Sequence, residues 1–237
     1  MAEAGPSTSR SQSNTPSAIL ETAEATPAFE RWRSSLAKFT GLGLNQEEKA
    51  ERDRIRAERL ESRQYATCEK WKSELVQSSP IVVFMLKHLK LSGCAFPPSA
   101  MQCFECPDTV FGGFNPEFGV LLCQNRLFTK SLMEDTLAHE LIHAFDHCKF
   151  NVNPSDLRHQ ACTEIRAANL SGDCRLLREW DRGNRHFYKQ HQACVRRRAV
   201  LSLLGNPSCE NEEMAERAVN EVWESCSKDT RPFDEVY

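Results

Sequence analysis

The sequence predicts an α+β fold, mostly helical with a small antiparallel sheet. Apolar residues recur at helical spacing through most of the chain, and several of these runs sit behind a capping residue. Only one region, Phe111 to Asn125, breaks short apolar runs with Gly and Pro in the manner of a β-hairpin. The chain has 237 residues, enough for one large or two small domains with a sizeable core.

Residues 1 to 27 are rich in Ser, Thr, Ala and Pro and read as a disordered tail, leaving residues 28 to 237 as the folded domain. Phe29 to Phe39, with Trp32 and Leu36 at helical spacing, reads as a short amphipathic helix broken at Gly41-Leu-Gly43. Asn45 caps the next helix, Gln46 to about Lys72, with Glu48 as its reciprocal partner. The charged run Glu47 to Arg63 reads as a solvated face of that helix. Pro80 opens a helix to Leu91, stopped by Gly93. In the hairpin, the second strand over Gly119 to Gln124 suits either an edge that pairs with an extended peptide or an ordinary core strand. Ser131-x-x-Glu134 is a capping box for a helix to Cys148, with Leu137, Ala138, Leu141, Ile142 and Phe145 as its buried stripe. Helices over Asp156 to Leu170, Lys189 to Leu204 and Glu212 to Ser225 follow.

The net charge of -3 argues for neither nucleic-acid nor membrane-surface binding by overall charge. The longest apolar run, Ile81 to Leu86, is core-sized and too short to span a bilayer. The first residues have neither the charged-then-apolar order of a secretory signal nor an Arg-rich, acid-poor composition. Eleven cysteines suggest an oxidising compartment or metal ligation, and the odd count leaves at least one thiol free if the others pair within the chain. Cys103-Phe-Glu-Cys106 is compatible with a redox pair, half a zinc knuckle or part of a disulfide framework, and no second C-x-x-C supports the knuckle.

The chemistry concentrates in His139-Glu-Leu-Ile-His143. On a helix, His139 and His143 lie one turn apart on one face, the spacing needed to hold one zinc ion through two imidazoles. Glu140 then stands beside the ion as the base that accepts a proton from water there. This marks a zincin-like metalloprotease domain. Three ligands from one straight helix would crowd along a line, so Asp146 suits an orienting role behind an imidazole better than ligation. Asp146 and Lys149 stand where the extended metzincin pattern has Gly and His or Asp. Glu164, on the following helix with Leu157, Ala161 and Ala168 on its face, is the expected third ligand, as in the gluzincin arrangement. His159 competes with it, and an ordinary ion pair with Arg166 is the bland alternative. His186, Tyr188 and His191 are candidate donors to a developing oxyanion, unranked by sequence. Arg196-Arg197-Arg198 reads as a solvated helix face, with anionic lipid contact as the alternative.

These stretches resemble a known family. Gly112-Gly-Phe-Asn-Pro-Glu-Phe-Gly119, Cys123-Gln-Asn-Arg-Leu127, His139-Glu-Leu-Ile-His-Ala-Phe-Asp-His147, Cys162-Thr-Glu-Ile-Arg-Ala167, Asn169-Leu-Ser-Gly-Asp-Cys174, His191-Gln-Ala-Cys-Val-Arg-Arg-Arg198, Gly205-Asn-Pro207 and Asp229-Thr-Arg-Pro-Phe-Asp234 together look like the M76 metalloproteases. The resemblance runs from about residue 29 to the C-terminus. It implies one Zn2+ held by His139 and His143, catalysis by Glu140, and a position in the mitochondrial intermembrane space, peripheral to the inner membrane. It further implies removal of the propeptide of ATP synthase subunit a, and a separate chaperone role in assembling the membrane sector. The implied partners are the subunit a precursor and inner-membrane assembly factors, with no nucleic acid. The rival reading is a non-catalytic assembly factor that keeps the zincin fold.

Overall fold

The computed structural model describes residues 27–94, 96–107, 110–184 and 189–234. The tail expected over residues 1 to 27 lies outside them, except Pro27, which opens the first helix.

The chain divides into two compact units at Ala57 and Glu58. The first contains α1 (Pro27–Thr40) and the opening turns of α2 (Gln46–Ser78). Asn45 and Glu48 cap α2 reciprocally: each side chain accepts from the other's backbone N–H, at 2.8 and 2.9 Å. The helix extends to Ser78, past the Lys72 expected from sequence, because Leu75 finds a buried seat.

The second unit holds the rest of α2, then α3 (Pro80–Leu91), β1 (Met101–Phe104), β2 (Gly112–Asn115), β3 (Gly119–Cys123), α4 (Lys130–Lys149), α5 (Leu157–Leu170), α6 (Leu176–Asp181), α7 (Gln190–Leu203) and α8 (Glu212–Cys226). The α+β reading holds, but the sheet is mixed rather than antiparallel. Its order is β1-β3-β2, with β1 parallel and β2 antiparallel to β3. The hairpin formed as expected. The third strand came from Met101–Phe104, a segment too short to carry a readable period. The edge-strand reading of Gly119 to Gln124 is overturned: β3 is central and paired on both sides, and the sheet edges are β1 and β2.

Two apolar cores meet around α5. In the first, Met133, Leu137, Leu141, Ile142 and Phe145 of α4 pack with Val82, Met85 and Leu89 of α3 and Met101, Val120 and Leu122 of the sheet. In the second, Ala161, Ile165 and Ala168 of α5 face Cys194, Val195, Ala199 and Leu203 of α7 and Ala215, Val219 and Trp223 of α8. Small residues on α5 let these backbones approach closely. The start of α4 differs from the expected capping box. Thr129 caps it by accepting from Leu132 N–H, while Ser131 accepts from Arg178 and Glu134 accepts from Ser79, both across the fold. Side chains read as local caps are therefore spent on tertiary contacts.

Five disulfides join the elements: Cys68–Cys103, Cys94–Cys148, Cys106–Cys123, Cys162–Cys226 and Cys174–Cys194. The C-x-x-C pair is thus part of a framework, its two members joined to different partners. Cys209 is the free thiol that the odd count required. Arg196, Arg197 and Arg198 are half-buried and paired within the fold, which corrects the solvated helix face expected from sequence. Arg196 lies 3.7 Å from the ring centre of Trp223, Arg197 pairs with Glu179 at 2.8 Å, and Arg198 with Asp173 at 2.8 Å.

Two predictions follow from this wiring. Thiol counting on the unfolded chain is expected to give one reactive thiol before reduction and eleven after it. More than one before reduction contradicts the disulfide set. The second prediction concerns acid. Burial opposes the charge of Asp173, but Arg198, His139 and Arg182 outweigh it and hold the carboxyl below its ordinary range. Glu179, likewise disfavoured by burial, is held low by Arg197 and Arg182. The unfolded chain therefore binds these protons first. The stabilisation is complete above about pH 5 and is lost as pH falls through the depressed native values. Denaturation midpoints measured from about pH 6 down to about pH 3 should fall, and Asp173→Asn should lower the plateau and flatten that fall.

Candidate metal centre

α4 carries His139 and His143 one turn apart, as its sequence dictates, and α5 brings Glu164 against them. The two Nε2 atoms are 3.1 Å apart. Glu164 oxygens lie 3.7 Å from His139 Nε2 and 3.6 Å from His143 Nε2. All three ligand atoms fall within 4.8 Å of one another. Ligand atoms about 2.0–2.1 Å from one tetrahedral ion stand about 3.3 Å apart, so a single cation fits among them with little movement.

The charges fit as well. Burial opposes ionisation of Glu164, yet His143 and His139 outweigh it and hold its carboxyl down at about 2. Gln160 donates to the same carboxylate at 3.2 Å. His143 is pushed down to about 4, chiefly by burial, so its imidazole is neutral. Burial also opposes charge on His139, but Glu164 and Glu140 overcome it and hold that imidazole above its ordinary range. The same two carboxylates that favour a proton on His139 favour a cation among these side chains. A divalent ion would take that place more effectively.

Glu140 is buried, and burial, helped by Glu164, pushes its carboxyl up to about 7. A carboxyl that changes protonation near neutral pH suits a group that must both take and return a proton. Gly112 of β2 leaves room for it. A Cβ there would stand 3.7 Å from Glu140 Cγ and only 2.8 Å from both Thr136 Cγ2 and the Leu121 carbonyl oxygen. The first glycine of Gly112-Gly113 is thus required by close packing of β2 on α4. At Gly113 a Cβ would meet nothing within 4 Å.

Asp146 does not reach an imidazole directly. Thr163 Oγ1 donates to Asp146 Oδ2 at 2.9 Å and sits 2.9 Å from His143 Nδ1. The hydroxyl has one proton and gives it to Asp146, so it accepts from His143 Nδ1–H. That tautomer leaves the Nε2 lone pair pointing at Glu164 and His139. Burial pushes the Asp146 carboxyl up, and Arg166 opposes it from 2.9 Å. Arg166 is itself 2 % exposed and also donates to the carbonyls of Asp229 and Arg231, at 2.8 and 2.6 Å.

The alternatives raised from sequence separate here. Arg166 pairs with Asp146 and Asp229. His159 is exposed near the start of α5, accepting from Asn153 N–H. His147 is exposed, its ring 6.0 Å from that of Phe114. His191 is exposed on α7, and His186 and Tyr188 lie outside the described residues. Sequence reasoning missed Thr163. Its signals were its place beside Glu164 on α5 and within the stretch Cys162-Thr-Glu-Ile-Arg-Ala167.

A helix-borne His-Glu-x-x-His with a third carboxylate converging on it is the constellation of a metal-dependent peptidase. Residues 66–234 match the Peptidase M76 family, and the chain belongs to that family, making it a peptidase of the metalloprotease class. Among its relatives are proteins named mitochondrial inner membrane protease ATP23. That of Eremothecium gossypii is 46% identical over 94% of this chain and 96% of its own length. That of Candida glabrata is 44% identical over 89% and 98%, and that of Saccharomyces cerevisiae 46% over 88% and 96%. No solved structure matches the chain.

Replacing Thr163 by Ala is expected to lower metal affinity by about 10–100-fold without unfolding the chain, read by metal titration. Arg166→Met strands a buried carboxylate and is expected to cost about 3–5 kcal/mol in chemical denaturation. A loss below about 1 kcal/mol contradicts the role given to this pair.

Proposed function

We propose that this chain is a zinc metalloendopeptidase with a zincin-like fold, working in the mitochondrial intermembrane space at the inner membrane. It removes the propeptide of ATP synthase subunit a and assists assembly of the ATP synthase membrane sector with inner-membrane assembly factors. The observation that carries the catalytic part is the convergence of His139, His143 and Glu164 beside a buried Glu140. The compartment and client rest on the M76 resemblance and on relatives named for the mitochondrial inner membrane. Five disulfides suit an oxidising compartment. No helix among the described residues is long and apolar enough to cross a membrane, which accords with peripheral attachment.

His139 and His143, through Nε2, and Glu164, through its carboxylate, would hold the ion. Zinc when bound supplies Lewis acidity toward a peptide carbonyl and acidifies nearby water. Glu140 takes the proton of the attacking water and returns it to the leaving amine. Its burial keeps it competent for both transfers near neutral pH. Thr163 and Asp146 fix the His143 tautomer. β2 pairs only with β3 among the described residues, and it passes beside Glu140, so its other edge is the place for an extended substrate backbone.

Glu140→Gln should retain bound metal and lower cleavage of the subunit a precursor by at least about 10³-fold. If subunit assembly survives in that variant, the peptidase and chaperone activities are separate. Unchanged cleavage overturns the role of Glu140. Glu164→Ala should lose the metal on purification, and full retention, measured by elemental analysis, rules Glu164 out as a ligand.

A further inference from the structure

α1 carries a stripe of large apolar side chains in water. Trp32 is 59 %, Leu36 44 % and Phe39 86 % exposed, and Phe29, 50 % exposed, has its ring centre 5.8 Å from that of Trp32. No residue of the helix is buried. The spacing 29, 32, 36, 39 places all four on one side. Leu42, just past the helix, is 76 % exposed. An apolar face held in water implies a covering surface.

The composition around the stripe selects the cover. Arg33 stands at its margin, Arg31 and Lys38 lie farther round the helix, and the single acid, Glu30, pairs with Arg33 at 2.8 Å. Aromatic residues on the apolar side with three basic residues against one acid on the rest of the helix fit a helix lying in the headgroup region of an anionic bilayer. A second copy is a poorer match. The helix has 14 residues, and Gly41, at φ +76°, ends it, which leaves two heptads, with Phe and Trp in the seam instead of interlocking Leu and Ile.

We propose that α1 is the element that seats this peptidase on a membrane, with Trp32, Leu36 and Phe39 entering the interface of an anionic phospholipid bilayer and Arg31 and Arg33 meeting its phosphates. The inference rests on the peripheral-membrane reading above and adds the segment, the lipid chemistry and the depth: α1 lies in the surface and does not cross it.

The test uses the full-length, metal-loaded chain and sedimentation with two vesicle types, phosphatidylcholine alone and phosphatidylcholine with about 20% phosphatidylglycerol. The wild type should bind the anionic vesicles, and less so as salt rises. Trp32→Ser/Leu36→Ser/Phe39→Ser should weaken that binding by more than about tenfold. Arg31→Ala and Arg33→Ala should each weaken it by about fivefold. Cleavage of a soluble peptide should be unchanged in all of them, since α1 supplies none of the side chains His139, Glu140, His143 and Glu164. Three results overturn the inference: the triple variant binding as the wild type does, no wild-type preference for the anionic vesicles, or a wild-type dimer that the triple variant abolishes. In the first case membrane attachment survives through another surface. If subunit a precursor is not cleaved but vesicle binding is lost in the triple variant, the client is wrong and the membrane role of α1 stands.

Discussion

The buried contact between Asp146 and Arg166 is the interaction on which the rest of the second unit depends. It joins α4 to α5 at 2.9 Å, and through the carbonyls of Asp229 and Arg231 it fixes the C-terminal segment to both helices. A carboxylate and a guanidinium with almost no access to water are costly to bury, and their attraction repays that cost only when geometry and further hydrogen bonds are good. Here every partner is supplied. The guanidinium meets Asp146, Asp229 and two carbonyls, and the carboxylate also accepts from Thr163. Phe233, further along the same segment, stacks on Phe84 of α3 with ring centres 4.9 Å apart. One ion pair thus sets the α4–α5 approach and ties the chain end to the first core.

That approach distance is what the candidate metal centre needs. His139 and His143 come from α4 and Glu164 from α5, so the cluster exists only if the two helices meet in register. Thr163 transmits the constraint further, because its hydroxyl both receives from His143 and gives to Asp146. The same contact that orders the fold chooses the imidazole tautomer. The disulfides reinforce this arrangement from outside. Cys162–Cys226 holds α5 to α8, Cys174–Cys194 holds the segment between α5 and α6 to α7, and Cys94–Cys148 pins the end of α4. Closing loops of this length restricts the unfolded chain and leaves the centre little freedom to spread.

Electrostatics divides the molecule into two regimes. Around the centre, carboxylates outnumber nearby cations, and burial drives Glu140 up while Glu164 stays ionised. A short distance away, Asp173 and Glu179 are each met by two arginines. The arginine run on α7 therefore supplies structure rather than a charged outer face.

Most helices were legible in the sequence because their signals are local. The Asn45–Glu48 cap, Pro80 at a helix start and the apolar stripe of α4 each involve residues within a turn or two of one another. His139, Glu140 and His143 were legible for the same reason, since helical spacing alone places them together. The odd cysteine count required a free thiol, but pairing joins residues 17 to 64 positions apart, and no local pattern encodes it. Ser131 and Glu134 show the converse: residues with a valid local role were taken by Arg178 and Ser79 from other elements. The β1–β3 pairing, and with it which strand lies at the edge, also depended on a long-range parallel contact. The sequence by itself determined that a capped helix would present two imidazoles and a glutamate on adjoining faces. Only the tertiary structure decided that Glu164 would stand opposite them and that Thr163 would carry Asp146 to His143, because both facts depend on the distance and rotation between two helices, set by a buried ion pair and two cores.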